Sequence, residues 1–140
     1  MKNIIDEEVK FEDINPKNRP VVSKTDIKGN ILYANKMFAE LSGYSKEELT
    51  GKPHNIVRHP DMPKKVFENL WNTILQGKPW SGIVKNLRKD GRYYWVEAYI
   101  EPCFDKKGNI TGFISARRKI DDEKKKEYEK KYKEMKKNES

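Results

Sequence analysis

The sequence predicts an α+β domain: a five-stranded antiparallel sheet with short helices and one longer helix on one face. Three observations predict it. Short apolar runs are separated by glycine-bearing turns at Asp26-Ile27-Lys28-Gly29-Asn30, Lys89-Asp90-Gly91 and Asp105-Lys106-Lys107-Gly108-Asn109, and such turns join antiparallel strands. One stretch, residues 62–76, repeats apolar side chains at helical spacing. The order is strand-strand, helices, then three strands, which gathers the helices between two antiparallel groups.

The elements follow in order. Residues 1–19 form a lead-in segment that ends in the Asn15-Pro16 turn and Pro20. Residues 21–25 and 31–34 pair as a hairpin. Residues 36–42 carry Met37, Phe38 and Leu41 on one side of a short helix that Gly43 closes, and Ser45 with Glu48 has capping-box spacing for a second brief helix over 45–49. Two prolines and little periodicity make 54–63 a turn and loop. Asp61 stands where a cap would start the longer helix, whose buried face is Val66, Phe67, Leu70, Trp71 and Ile74, with Gly77 behind it. Strands over 80–88, 93–104 and 110–118 complete the sheet. The domain itself is residues 20–119. Residues 120–140 read as a charged helix or connector with only a thin apolar stripe of Ile120, Tyr128, Tyr132 and Met135, marginal alone, which either projects or packs against a partner copy.

At 140 residues the chain holds one core, with 37% charged against 35% apolar residues. The formal net charge of +8 raises nucleic acid as a partner, but much of the excess lies in the lysine- and glutamate-rich tail. No basic run is interleaved with aromatics as single-strand binding requires, and nucleic acid is set aside. Cys103 is the only cysteine, which excludes an intrachain disulfide and a thiolate metal cluster. There is no signal-peptide core and no bilayer-length apolar run, so a cytoplasmic setting without membrane insertion is expected. A nucleophile–base pair, metal-ligand spacing and a glycine-rich phosphate loop are all lacking, and an enzyme is not expected.

Two places suggest a site. On the strand over 80–88, Trp80, Gly82, Val84 and Asn86 share one face. They read either as a core indole beside a structural amide, or as a platform on which a planar ligand lies against Trp80 and Gly82 with its polar edge met by Asn86. Arg58-His59-Pro60-Asp61 places a guanidinium, an imidazole and a carboxylate just before a helix start. That suits an anionic group, and it equally suits Asp61 as a cap paired with Arg58.

Several blocks are recognisable together: Gly43-Tyr44; Gly51-Lys52-Pro53-His54-Asn55-Ile56-Val57-Arg58-His59-Pro60-Asp61-Met62-Pro63; Gly77-Lys78-Pro79-Trp80-Ser81-Gly82-Ile83-Val84-Lys85-Asn86; and Tyr94-Trp95-Val96. They resemble the PAS domain of the Aer family, bacterial aerotaxis and energy-taxis redox sensors, over about residues 21–118. The resemblance implies the PAS fold and non-covalently bound FAD. It carries the binding set onto Asn35, Arg58, His59, Asp61, Phe67, Trp71, Trp80 and Asn86. It also implies signalling to a membrane chemoreceptor or its signalling domain, with a homodimer formed through the flanking segments. The sequence departs from the family pattern at Glu97 and Tyr99, on the face opposite Tyr94, Val96 and Ala98, which alters a partner surface if that face points outward. The short chain reads as an excised sensor module or as a stand-alone protein that docks on a receptor. Two rivals stand beside this reading: a cofactor-free interaction or dimerisation domain whose interior is filled by its own aromatics, and a haem domain with His54 or His59 as axial ligand. A light-driven cysteine adduct is not expected, because the helical loop holds no thiol.

Overall fold

The computed structural model describes residues 3–139. A single turn of helix, α1 (Phe11–Ile14), precedes the hairpin of β1 (Val21–Asp26) and β2 (Ile31–Ala34). Helices α2 (Lys36–Ser42) and α3 (Lys46–Leu49), a 3₁₀ turn (His54–Val57) and α4 (Lys64–Leu75) follow. Strands β3 (Trp80–Leu87), β4 (Tyr93–Phe104) and β5 (Ile110–Arg118) lead into α5 (Asp122–Lys137). The strands form one sheet in the order β2-β1-β5-β4-β3, antiparallel throughout. The predicted α+β class and five-stranded antiparallel sheet are what the structure has.

Local chemistry accounts for the turns. Asp26 Oδ1 accepts from the backbone N–H of Lys28 and of Asn30, both at 2.9 Å, and Gly29 takes φ +90° between them. A Cβ at Gly29 would also sit 3.1 Å from the Trp71 ring, so this turn is shaped both by its own backbone and by α4 beneath it. The Ser45–Glu48 capping box forms as the spacing predicts.

The inner sheet face carries Val84 and Asn86 from β3, Val96 and Ala98 from β4, and Phe113, Ser115 and Arg117 from β5, side chains two apart sharing one face. Against it pack Phe38 and Leu41 of α2, Leu49 of α3, Val57, and Leu70 and Ile74 of α4, all buried in one cluster. Helix α4 starts later than predicted. Met62 precedes Pro63, and a residue before proline is pushed out of the helical region, so Pro63 becomes the N-cap position with φ −67° and ψ 141° and no capping side chain of its own. Asp61 is therefore not the cap. That role falls to Glu139, whose carboxylate accepts from the Lys64 and Lys65 N–H groups at 3.2 and 3.1 Å. A carboxylate there satisfies orphan donors and complements the helix dipole.

The C-terminal helix is the main departure from expectation. Rather than projecting, α5 lies on the sheet face opposite α2–α4. The Tyr132 hydroxyl donates to the Ile83 carbonyl at 2.5 Å, its ring stacks on Trp95 with centroids 6.3 Å apart, and Tyr128 meets it edge-on. Ile83 and Trp95 alternate with the inward Val84 and Val96, so the thin stripe read from sequence closes over the outer face of the same domain. Lys136 adds a bond to the Pro60 carbonyl at 2.6 Å. The lead-in likewise docks, with Glu8 bridging in parallel to Tyr93 and Ile5 donating to the Gly91 carbonyl at 2.8 Å.

Candidate functional site

Between the inner sheet face and α4 lies a cavity of about 190 Å³. Phe67, Leu70, Trp71 and Ile74 of α4 form one wall, and Val84, Val96, Ala98, Ile100 and Phe113 form the floor. Trp71 meets Phe113 edge-on with ring centroids 5.8 Å apart. The exposed residues Lys28, Pro53 and Asn55 mark its mouth. Sites that enclose a whole drug-sized ligand run to ~300–1,000 Å³, so this cavity takes a fused-ring head group, and a longer tail would leave through the mouth.

The polar lining is cationic. Arg58, Arg117 and Lys28 line the cavity together with Asn86, Ser115, Thr25 and His54, and no carboxylate among the described residues does. Backbone pairing fixes Arg58 beside Asn86 through an isolated antiparallel bridge, and its guanidinium lies 3.7 Å above the Phe67 ring. Arg117 enters from β5. Its Nη2 donates to Ser23 Oγ at 2.9 Å and lies 2.7 Å from His54 Nε2, while its guanidinium carbon sits 4.2 Å from the Phe38 ring centroid. Burial lowers the Arg117 pKa to about 10, still cationic at neutral pH. The same burial, reinforced by the Arg117 charge, lowers His54 to about 3. The neutral imidazole therefore accepts from Arg117 through Nε2. Tyr94, wholly buried, is pushed up to about 12 by burial.

Four of the eight residues singled out from sequence meet at this cavity: Arg58, Phe67, Trp71 and Asn86. The other four lie elsewhere. Asn35 caps α2, its Oδ1 accepting from Phe38 N–H at 3.0 Å and Val22 N–H at 3.1 Å while Nδ2 donates to the Pro20 carbonyl. His59 is buried against the edge of Tyr93, and its Nδ1 accepts from Asp61 N–H at 3.0 Å. Its pKa falls to about 4 through burial and then the charge of Lys85. Asp61 bonds Lys85 Nζ at 2.9 Å. Trp80 lies on the inner face as predicted, but its own indole folds over Gly82, where a Cβ would come within 2.4 Å of it, and Nε1 donates to Asn69 Oδ1 of α4 at 2.9 Å. The space that a planar ligand was expected to use above Gly82 is thus filled by Trp80, and Trp80 ties β3 to α4.

Sequence reasoning named His54 only as a haem ligand and missed Arg117 altogether. On β5, Phe113, Ser115 and Arg117 alternate with Ile114 and Ala116, so each face offers apolar residues and alternation cannot tell which is inward. The available signal was the neighbouring register: Arg117 pairs with Ala98 and Val21, both inward. Glu97 and Tyr99, the departures from the family pattern, lie on the other face, where Arg118 bonds the Tyr99 hydroxyl and sits 3.6 Å from Glu97.

Comparison with known proteins agrees with this geometry. Residues 31–117 match the family described as PAS fold. The chain is 50% identical over 103 residues to the aerotaxis receptor of Escherichia coli, covering 74% of this chain and 20% of the receptor. It is 32% identical over 99 residues to a nitrogen fixation regulatory protein of Klebsiella oxytoca, covering 71% of this chain and 20% of that protein. The chain therefore spans about a fifth of the length of these relatives. Among solved structures, a PAS domain from Colwellia psychrerythraea superposes with a TM-score of 0.62 at 29% identity, covering 72% of this chain and 86% of that one. The light-state LOV domain of the photoreceptor Aureochrome1 superposes with a TM-score of 0.70 at 24% identity, covering 85% and 91%, a likeness of fold. No helix among the described residues is long and apolar enough to cross a membrane. On the matched span, the strand order and the cavity between sheet and α4, this chain belongs to the PAS-fold family.

Proposed function

We propose that this domain is a flavin-binding redox sensor of the energy-taxis kind, holding FAD non-covalently and signalling from the cytoplasm to a membrane chemoreceptor or its signalling domain. One observation carries the reading: an apolar, aromatic-walled cavity of about 190 Å³ whose polar lining combines amides, hydroxyls and an imidazole with three cations and no carboxylate among the described residues. That is the donor set for a flat heteroaromatic ring with carbonyls along its edge and a phosphate-bearing tail. The half identity to an aerotaxis receptor across the matched region supports the signalling role.

In this reading Phe67, Trp71 and Phe113 hold the ring faces, Asn86 meets a ring edge, and Arg58 stays against Phe67 with Nε free to donate. Lys28 at the mouth provides a cation for the pyrophosphate. Asn35, His59, Asp61 and Trp80 support the shell: they fix α2, the loop before α4, and the junction of β3 with α4. Bound flavin supplies reversible electron exchange at its ring. A redox change reaches a partner only if the two states of the domain bind the ligand differently. The elements placed to carry such a bias are β3, whose Asn86 faces the cavity while Ile83 bonds Tyr132, and α5, with Glu139 just beyond it capping α4. The lead-in segment and α5, which flank the domain, are the proposed contacts with the receptor and with a second copy.

The test is to release and identify the chromophore of the purified protein after FAD addition, then repeat with Arg58→Ala and Trp71→Ala. FAD in the wild type with reduced occupancy in both variants is expected. A flavin-free spectrum after reconstitution, or a Soret band, would overturn the proposal. Haem ligation by His54 would have to displace Arg117 from Nε2.

A further inference from the structure

Among the described residues, the buried side-chain nitrogens without a hydrogen-bond partner are Arg58 Nε and Arg117 Nη1, and both residues line the cavity. Arg117 is the deeper of the two, with 7% of its surface exposed. Its guanidinium is held in place from two directions: Ser23 and His54 hold Nη2, and the Phe38 ring lies against one face. A buried charged donor left without an acceptor is costly, and no carboxylate lines the cavity among the described residues to relieve it.

We infer that Arg117 Nη1 donates to an acceptor on the buried edge of the cavity ligand, a ring carbonyl that gains negative charge on reduction. This rests on the flavin reading and deepens it: Arg117 meets the carbonyl-bearing pyrimidine end of the ring, while the phosphates stay at the mouth. A fixed cation at that edge favours the reduced ring over the oxidised one, so Arg117 raises the potential at which the domain switches. His54 is the neutral acceptor that orients the fork without cancelling its charge.

Wild type, Arg117→Met, Arg117→Lys and Ser23→Ala are titrated with FAD and separately with riboflavin, which has the ring but no phosphate. The bound-flavin midpoint potential is then measured, and circular dichroism checks folding. Arg117→Met is expected to weaken FAD and riboflavin alike, by about 10- to 100-fold, as for loss of a buried charged hydrogen bond, and to lower the potential. Arg117→Lys recovers part of both. Ser23→Ala, which releases the guanidinium from a residue outside the cavity lining, shifts both in the same direction by less, and it stands in if Arg117→Met does not fold. Equal affinities and potentials in folded variants would overturn the inference and leave the flavin reading intact. Weakened FAD with unchanged riboflavin would place a phosphate at Arg117 and overturn it as well. Failure of the wild type to bind either flavin would remove both.

Discussion

Phe38→Ala is expected to lower the free energy of unfolding by about 3–5 kcal/mol, a large share of the roughly 5–15 kcal/mol that holds such a domain folded. Phe38 is 0% exposed at the centre of α2. Its ring stacks on His54 with centroids 5.6 Å apart and lies under the Arg117 guanidinium. The void could not collapse cheaply, because His54 and Arg117 are held by each other and by Ser23. Urea unfolding monitored by circular dichroism gives the comparison, with Leu75→Ala as control, since Leu75 is 51% exposed on α4 and should change stability by about 0.5 kcal/mol or less. Similar losses at the two positions would contradict the packing described here.

Acid should destabilise the domain earlier than carboxylate protonation alone would. His54 and His59 have pKa values lowered from 6.5 to about 3 and about 4, burial being the main cause at each. Between pH 6.5 and these lowered values the unfolded chain takes up protons that the folded one refuses, so stability is full above pH 6.5 and falls below it. Each histidine contributes at most about 1.4 kcal/mol per pH unit, so the two together approach roughly 3 kcal/mol per pH unit in that window. Asp90, held down to about 2 chiefly by its bond from Arg92, adds its share only lower, below pH 3.8. Unfolding free energies measured from pH 7.5 to 4.5 should fall steeply below 6.5, and His54→Gln should flatten the fall. A level profile to pH 5 would mean that the imidazoles are not buried as neutral groups.

How much of this was legible in the sequence depended on how local the cause is. The turns at Gly29, Gly91 and Gly108 and the apolar stripe of α4 were readable because a few neighbouring residues determine them. Asn35 stands directly before a helix, a local capping signal, but the sequence analysis placed it only in the binding set that the family resemblance implies. Asp61 was read as a cap; Pro63 delays the helix and Lys85, 24 residues away, takes the carboxylate. Trp80 was placed on the correct face, yet only its side-chain direction decides whether Gly82 lies open to a ligand or under the indole. Arg117 and the docking of α5, though not the helix itself, were out of reach for the same reason: strand alternation on β5 is ambiguous, and the Tyr132–Ile83 bond spans 49 residues. Elements came from local pattern, as did Arg58 and Asn86, whereas Arg117 came from the register between strands.

The most direct test of the central claim is electron density for the protein crystallised with FAD. The flavin ring should lie between the inner sheet face and α4, flanked by Phe67 and Trp71, with Arg117 Nη1 within hydrogen-bond distance of a ring carbonyl. Density for the ring outside that cavity, or a cavity closed by the protein's own side chains at saturating FAD, would contradict it.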